Sequence, residues 1–120
     1  HVMCQFNVDK KNNKLDCQLY QRSGDMFLGV PFNIASYSLL THIIAHITGY
    51  DVGRFIHIIG NAHIYEEHMG AIIKQLENDV YKLPRLVLSE KLVDIDDIKE
   101  EYISLENYVS SDKIYAPMIC

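Results

Sequence analysis

A short polar segment, Gln21–Asp25, carries more hydrogen-bonding groups than an ordinary surface loop requires. Arg22 offers a planar fork of donors that suits a phosphate group. Ser23 adds a hydroxyl and Asp25 adds a carboxylate. This combination indicates a site for an anionic ligand. From spacing alone, a surface salt bridge beside a turn serine and a turn aspartate explains the same residues.

A second segment, residues 28–37, reads LGVPFNIASY and contributes the amide of Asn33, which donates and accepts at once. Gly24, Gly29 and Pro31 bend the backbone around these groups. An anion, the edge of a heterocycle and a second ligand could therefore be held in one cleft. Asparagine before a helix is also a common N-cap, so Asn33 has a purely structural interpretation as well.

The third group of interest is His63 and Tyr65, which follow a strand predicted to end near Ile59. Polar rings at a strand end can contact a ligand, but a buried tyrosine beside an exposed histidine is equally consistent with the pattern. His57 and His68 are expected to be structural or exposed.

A metal site is not expected from the remaining histidines. His42 and His46 are spaced i, i+4, which is compatible with one metal ion. The glutamate of an HExxH pattern is missing and no third ligand is evident.

Composition narrows the class of protein. The 120 residues suit a single domain, and 48% of them are apolar. A net charge of −5 without a basic cluster makes nucleic acid an unexpected partner. The odd count of three cysteines favours a reducing cytoplasm over a secreted disulfide framework. No transmembrane run or signal peptide is visible, so no membrane partner is expected.

The chain closely resembles thymidylate synthase. The family pattern QRSxD followed by LGxPFNIASY is present, and residues 60–65, GNAHIY, are similar to its G-D/N-x-H-x-Y element. The resemblance covers essentially all 120 residues. It implies that residues 1–120 are the carboxyl-terminal part of a single catalytic domain.

The resemblance also implies where the nucleophile lies. In the family the catalytic cysteine directly precedes the histidine that His1 matches, so we expect the chain to begin just after it. None of the chain's own cysteines occupies that position; they are Cys4, Cys17 and Cys120. The isolated chain is therefore expected to be inactive. A dihydrofolate reductase domain upstream, as in bifunctional members of the family, stays open.

The implied reaction is the reductive methylation of deoxyuridylate to thymidylate, with 5,10-methylenetetrahydrofolate donating both carbon and hydride and with no metal. The implied assembly is a homodimer in which arginines of the partner subunit complete the phosphate site. Two alternatives stay open: a pyrimidine nucleotide hydroxymethylase, which adds water instead of hydride, and a non-catalytic dimerisation fragment.

By resemblance, the deoxyuridylate site comprises Gln21, Arg22, Ser23, Gly24, Asp25, Asn33, His63, Ile64 and Tyr65. The folate contacts are Asp25, Gly29 and Ile119. Arg22 and Asn33 are also expected to assist catalysis: Arg22 lowers a thiol pKa, and Asn33 donates to O4 of uracil and accepts from N3–H. Relatives that act on cytidylate carry aspartate at the Asn33 position. The tail is expected to close over the ligands, although Cys120 stands where the family usually ends in a small aliphatic residue.

Patterns along the chain predict an α/β (α+β) fold, with a mixed sheet packed against long helices. The predicted strands are Val2–Val8, Leu15–Gln21, Arg54–Ile59, Leu86–Leu88 and Tyr102–Leu105. The predicted helices are Ile34–Thr48, which ends at Gly49, and Ile64–Glu77. A hairpin loop is expected over Asp9–Lys14, a helical turn or loop over Asp94–Glu101, and an irregular tail from Ser110.

Overall fold

The computed structural model describes residues 1–119, and its main feature is a sheet of three long strands beside one long helix. The order of elements is β1 (Met3–Asp9), β2 (Lys14–Asp25), α1 (Val30–Thr48), β3 (Asp51–His63), α2 (Met69–Leu76), β4 (Arg85–Leu88) and β5 (Ile103–Glu106). Short 3-10 turns lie at Glu66–His68, Ile95–Asp97 and Glu100–Tyr102. Neither α-helix of the described residues is long and apolar enough to cross a membrane.

The hairpin between β1 and β2 is closed by side-chain hydrogen bonds to the backbone. Asp9 Oδ1 accepts from the backbone amides of Lys11 and Asn12 at 3.1 and 3.2 Å. Asn13 adopts a φ of 55°, a conformation that asparagine tolerates better than most residues. The predicted loop over Asp9–Lys14 is therefore confirmed, and it fixes the antiparallel pairing of β1 with β2.

The pairing of β2 with β3 is parallel, which makes the sheet mixed. The register shifts between Leu15 and Cys17, where the carboxylate of Asp16 accepts from both the backbone amide and the guanidinium of Arg54, at 2.6 and 2.8 Å. These bonds hold the pKa of Asp16 below its usual range. Beyond the shift, Ser23 pairs with Asn61.

Helix α1 begins earlier than predicted. Its N-cap is Gly29, and Pro31 stands in the first turn, where its missing N–H is not needed. The interpretation of Asn33 as the N-cap is therefore wrong: Asn33 lies inside the helix, and its backbone amide donates to Gly29 O at 3.1 Å. The predicted stop at Gly49 is confirmed by a left-handed φ of 78°.

The second helix is shorter than predicted. Instead of Ile64–Glu77, the chain forms a 3-10 turn and then the eight residues of α2. Farther on, β4 and β5 make a separate two-stranded antiparallel sheet. Leu92 and Tyr102 pack against Ile43 of α1, which attaches this part of the chain to the helix. Residues 107–119 have no regular structure beyond an initial bend.

The predicted fold class is confirmed: a mixed sheet packs against the long helix α1, and a short second helix, α2, follows. The five predicted strands are all present, but β2 and β3 extend beyond their predicted ends to Asp25 and His63. These extensions matter because they carry the polar residues singled out in the sequence.

Candidate functional site

Polar residues from four elements meet at one edge of the sheet. Parallel strands place their carboxyl ends at the same edge, so the end of β2 at Asp25 lies beside the end of β3 at His63. The antiparallel strand β1 begins there, since Val2 N donates to Tyr20 O at 3.0 Å. The first turn of α1, with Asn33, follows after four residues. Sequence segments far apart in the chain therefore form one cleft.

Arg22 and Ser23 border the open part of this edge. Both residues are exposed, and together with His1 and Val2 they line a cleft of about 310 Å³. The structure thus brings a guanidinium and a hydroxyl into the same concave surface, as a phosphate site requires.

Gln21 is buried, with 6% of its surface exposed, and its side chain bonds to the site rather than to Arg22. Its Nε2 donates to the backbone oxygen of Ser23 at 2.9 Å and to Asn33 Oδ1 at 3.0 Å. Its Oε1 accepts from His57 Nε2 at 2.8 Å. Gln21 therefore fixes the side chain of Asn33.

The amide of Asn33 keeps part of its hydrogen-bonding capacity for a ligand. Its Oδ1 has a second lone pair beyond the one used by Gln21. Its Nδ2 lies 3.4 Å from His1 Nε2. This contact uses one of the two N–H groups of Asn33 and leaves the other for a ligand. One acceptor and one donor site are consequently available side by side.

Asp25 forms a turn, as its structural interpretation predicted. Its Oδ1 accepts from the backbone amides of Phe27 and Leu28, at 3.0 and 3.4 Å. This turn leads directly to Gly29, whose amide donates to Asp25 O at 3.1 Å. A half-buried carboxylate is thereby held at the entrance to α1.

Gly24 is explained by packing. A side chain at this buried position would come within 2.9 Å of Val30 and 3.2 Å of Ile59. The absence of a Cβ thus lets β2, β3 and the start of α1 approach one another. A backbone contact with a ligand is a separate matter and stays a prediction.

His63 and Tyr65 lie in contact, with ring centroids 5.1 Å apart and planes nearly perpendicular. His63 Nδ1 donates to the backbone oxygen of Asn61 at 3.3 Å, so in the neutral ring Nε2 is an acceptor. Ile64, between them, is exposed. His63 is the last residue of β3 and pairs with Asp25 in the register of the sheet, and Tyr65 follows just beyond the strand.

The tail returns to this region. His68 is fully buried and its Nε2 donates to Pro117 O at 2.7 Å. The other ring nitrogen has no hydrogen-bond partner among the described residues and lies 3.8 Å from Asp25 Oδ1. Ile119 is half-buried. The prediction about Cys120 falls on a residue outside those described.

The two described cysteines form a thiol pair on β1 and β2, with Sγ atoms 3.4 Å apart. Burial, and secondarily the neighbouring thiol, raises the pKa of Cys4 to about 11. Cys17 is buried. A thiolate is the reactive form of cysteine, so neither residue is suited to act as a nucleophile.

Among residues 1–119, no group of three or more histidine, cysteine or acidic side chains could hold a metal ion. His46 Nε2 instead donates to Ser89 O at 3.1 Å. Burial lowers the pKa of His42.

Sequence reasoning gave His57 and His68 no site role, yet both contact predicted site residues. The strand period of two places His57 on the same face of β3 as His63, so this signal was available. No comparable signal existed for His68, because its contacts depend on how the irregular tail folds back.

Comparisons with known proteins agree on one family. A family model described as thymidylate synthase matches residues 1–120. Thymidylate synthase of Mycoplasma mobile is 54% identical over 116 residues, covering 97% of this chain and 40% of that protein. The enzyme of Listeria monocytogenes is 52% identical, covering 98% of this chain and 37% of that protein. A solved structure, thermostable thymidylate synthase A from Bacillus subtilis, aligns with a TM-score of 0.88 at 34% identity, covering 93% of this chain and 40% of that one.

Proposed function

Because the chain belongs to the thymidylate synthase family, we propose that the protein carrying it methylates deoxyuridylate to thymidylate with 5,10-methylenetetrahydrofolate. The chain spans 37–40% of the length of the curated relatives it matches. We assign residues 1–120 to the carboxyl-terminal part of a single catalytic domain. The segment supplies much of the nucleotide site.

The observation that carries this proposal is the state of the Asn33 amide. Gln21 occupies one lone pair of Asn33 Oδ1, and the second can accept N3–H of uracil. The free N–H of Nδ2 can donate to O4. Cytosine presents the opposite pattern at these two atoms, so an amide held this way favours uracil. Donation to O4 also stabilises the negative charge that develops there when a nucleophile adds to the ring.

The rest of the nucleotide is bound on both sides of this amide. We assign the 5′-phosphate to Arg22 and Ser23, whose exposed groups line the cleft at the sheet edge. The 3′-hydroxyl is assigned to His63 and Tyr65, with Ile64 beside them, since His63 Nε2 is an acceptor for a hydroxyl proton. Gly24 contributes its backbone.

For the folate we propose Asp25, Gly29 and Ile119. The half-buried carboxylate of Asp25 suits the paired N–H donors of a pterin edge. Next to this turn is a cleft of about 630 Å³, bordered by the aromatic and apolar residues Phe27, Leu28, Pro31 and Phe32 among others. Flat aromatic ligands bind in such surroundings.

The nucleophile in this proposal is the family's cysteine, which directly precedes the histidine matched by His1. Arg22 lines the same cleft as His1, and its guanidinium would lower the pKa of that thiol. The 120-residue segment alone is expected to be inactive, because Cys4 is a poor nucleophile and Cys17 is buried.

A homodimer in a reducing cytoplasm is part of the proposal. Met3, Tyr20 and Ile58 form an exposed apolar row, since Met3 pairs with Tyr20 and Tyr20 with Ile58. Helix α1 packs on the opposite face, where Tyr37 stacks on Phe55. A second copy covering this row would bring the partner's arginines towards the phosphate. The free thiols Cys4 and Cys17 suit a reducing compartment.

The substitution Asn33→Asp in the full-length protein tests the proposed function. Turnover of deoxyuridylate should fall by roughly a hundredfold or more, because a carboxylate lacks the donor for O4 and repels it. Binding of deoxycytidylate should improve. The control is Asn107→Asp, an exposed position with a φ of 58° that aspartate also tolerates.

Unchanged preference between the two nucleotides in Asn33→Asp would contradict the assigned role of Asn33. Identification of the product separates the alternatives: thymidylate supports the proposal, and a hydroxymethylated nucleotide indicates a hydroxymethylase. Absence of any nucleotide binding by the full-length protein would leave only the non-catalytic interpretation.

A further inference from the structure

We propose that His57 is a positioning residue for base specificity: it holds Gln21, and through Gln21 it holds the Asn33 amide in the orientation that reads uracil. His57 need not touch the nucleotide. The inference rests on the proposed function, since it assigns a control residue to the same site. Its evidence is a continuous series of hydrogen bonds from β3 through β2 to α1.

The direction of each bond in this series follows from chemistry. The backbone oxygen of Ser23 only accepts, so the Gln21 atom that lies 2.9 Å from it must be the amide nitrogen. Gln21 Oε1 therefore faces His57, and His57 Nε2 must carry a proton to donate across 2.8 Å. The second N–H of Gln21 then donates to Asn33 Oδ1. Two fixed groups, the Ser23 carbonyl and His57, thus define the orientation of the whole series.

The surroundings favour this arrangement. Gln21 is buried, so reversing its amide would face two oxygen atoms towards each other without water to separate them. His57 packs on the ring of Phe55, with centroids 5.5 Å apart, which restricts the imidazole. Burial lowers the pKa of His57, so the ring is neutral over most of the physiological range and its single proton is held at Nε2 by Gln21.

Loss of the donor at position 57 has a specific consequence. Gln21 Oε1 would be buried without a partner, and reversal of the Gln21 amide would become less costly. A reversed Gln21 presents an oxygen to Asn33, which would then turn its own amide to donate to Gln21. An Asn33 reversed in this way presents the complement of a cytosine edge. Removing the His57 donor should therefore reduce discrimination between the two bases, in addition to any loss of stability.

The test compares His57→Phe with His57→Gln in the full-length protein. Phenylalanine keeps the ring and removes the donor, whereas glutamine restores an N–H near the position of Nε2. We measure the affinity of deoxyuridylate and deoxycytidylate by calorimetry. In His57→Phe the preference for deoxyuridylate should fall about tenfold or more, as expected when a buried acceptor is left unpaired. In His57→Gln most of the preference should return.

An unchanged preference for deoxyuridylate in His57→Phe would overturn the inference. An equal loss of affinity for both nucleotides in both variants would overturn it as well, because it would indicate a merely structural role. Failure of the unaltered protein to bind deoxyuridylate would instead contradict the proposed function. The inference would then still be decided by ¹⁵N NMR without ligand. The wild-type protein should show a His57 ring protonated at Nε2, and His57→Phe should alter the side-chain amide signals of Asn33; unaltered signals would contradict it.

Discussion

Two regions of this molecule are stabilised in different ways. In the strand-end region, residues 1–63, long paired strands and α1 bury a continuous set of side chains, including Leu15, Cys17 and Leu19. In the carboxyl-terminal region, residues 64–119, Leu92, Tyr102 and His68 are buried, while Val80 is 97% and Leu83 is 84% exposed. The first region thus holds its own shape. The second depends on contacts with the first.

The polar contacts differ in the same way. In the strand-end region, polar side chains fix one another, as Gln21 does with His57 and Asn33. In the carboxyl-terminal region, Ser89 O is bonded by His46 of the first region, and His68 bonds to Pro117 within the same region. A nucleotide site fixed by its own side-chain bonds, beside a tail that bonds to His68, suits an enzyme that binds its first ligand in a preformed cleft and closes over the second.

The largest expected effect, on the free energy of unfolding, comes from two matched substitutions that each create a cavity, Leu19→Ala and Leu92→Ala. Both leucines are almost fully buried, at 0% and 1% exposure. Each substitution should lower the free energy of unfolding by about 2–5 kcal/mol. Leu19 stands two residues from Gln21 on the same strand face, so its loss should also weaken deoxyuridylate binding. Leu92 packs on Ile43, away from the site, and nucleotide affinity should be kept.

Urea denaturation of the full-length variants and calorimetry with deoxyuridylate measure the two quantities. If Leu92→Ala weakened nucleotide binding as much as Leu19→Ala does, the two regions would not differ in their contribution to the site. An increase of hydrogen exchange in Leu92→Ala confined to residues 85–106 would support the difference between the two regions.

Much of this difference was readable in the sequence. The alternation of apolar residues in Cys17–Gln21 and the turn residues at Asp9–Lys14 predict β2 and its hairpin, because local pattern and local chemistry agree there. The start of α1 was misplaced for a physical reason: Gly29 has no side chain to signal a cap, whereas Asn33 has one. The parallel register that joins Ser23 to Asn61 is a long-range fact that no local pattern contains.

The site was predicted as a set of residues but not as a network. Gln21 was expected to contact the nucleotide, whereas its side chain bonds to Ser23, Asn33 and His57. The second helix was predicted to begin too early, because Tyr65 is extended and Glu66–His68 form a 3-10 turn in which His68 is buried. Both outcomes depend on what packs against an element, which the sequence of that element does not specify.

A smaller effect is expected from releasing the tail. Truncation after Met118, which removes Ile119 and whatever follows it, should leave deoxyuridylate affinity within about twofold and lower turnover at saturating folate, since loss of a lid admits water. Calorimetry and a turnover assay on the full-length and truncated proteins check this. Collapse of nucleotide affinity with turnover per bound enzyme preserved would make the tail part of the nucleotide site.

His68→Phe tests how the tail is held, at the bond between His68 and Pro117, without shortening the chain. Phenylalanine keeps the packing on Phe27 and Tyr65 but removes the bond to Pro117 O, worth about 0.5–1.5 kcal/mol. The tail should become more sensitive to limited proteolysis while the strands stay protected. Equal protection of the tail in both proteins would show that other contacts hold it.

The smallest expected effect is a pH dependence of the folding stability. It involves two histidines, one in the site network and one where α1 meets the carboxyl-terminal region. His57 belongs to the site network, and His42 faces the cleft between α1 and β4, together with His46, Tyr50, Asp51 and Arg85. Burial lowers the pKa of both histidines in the folded protein, while in the unfolded chain they titrate near about 6.5. Between the folded and unfolded pKa values the unfolded chain binds more protons. The stability from burying the neutral rings is therefore fully present above about pH 6.5 and is lost as the pH falls below it.

Replacing either histidine should make the free energy of unfolding less dependent on pH below that point. The two variants should differ in what else changes. His57→Gln removes the imidazole from the site network, so the pH dependence of nucleotide affinity should change with that of stability. His42→Leu removes a titrating group from the contact with the carboxyl-terminal region, so stability should change and nucleotide affinity should follow the wild-type profile. If His42→Leu altered the nucleotide profile as well, the two regions would be coupled through α1, and the site could not be regarded as independent of the region that packs against it.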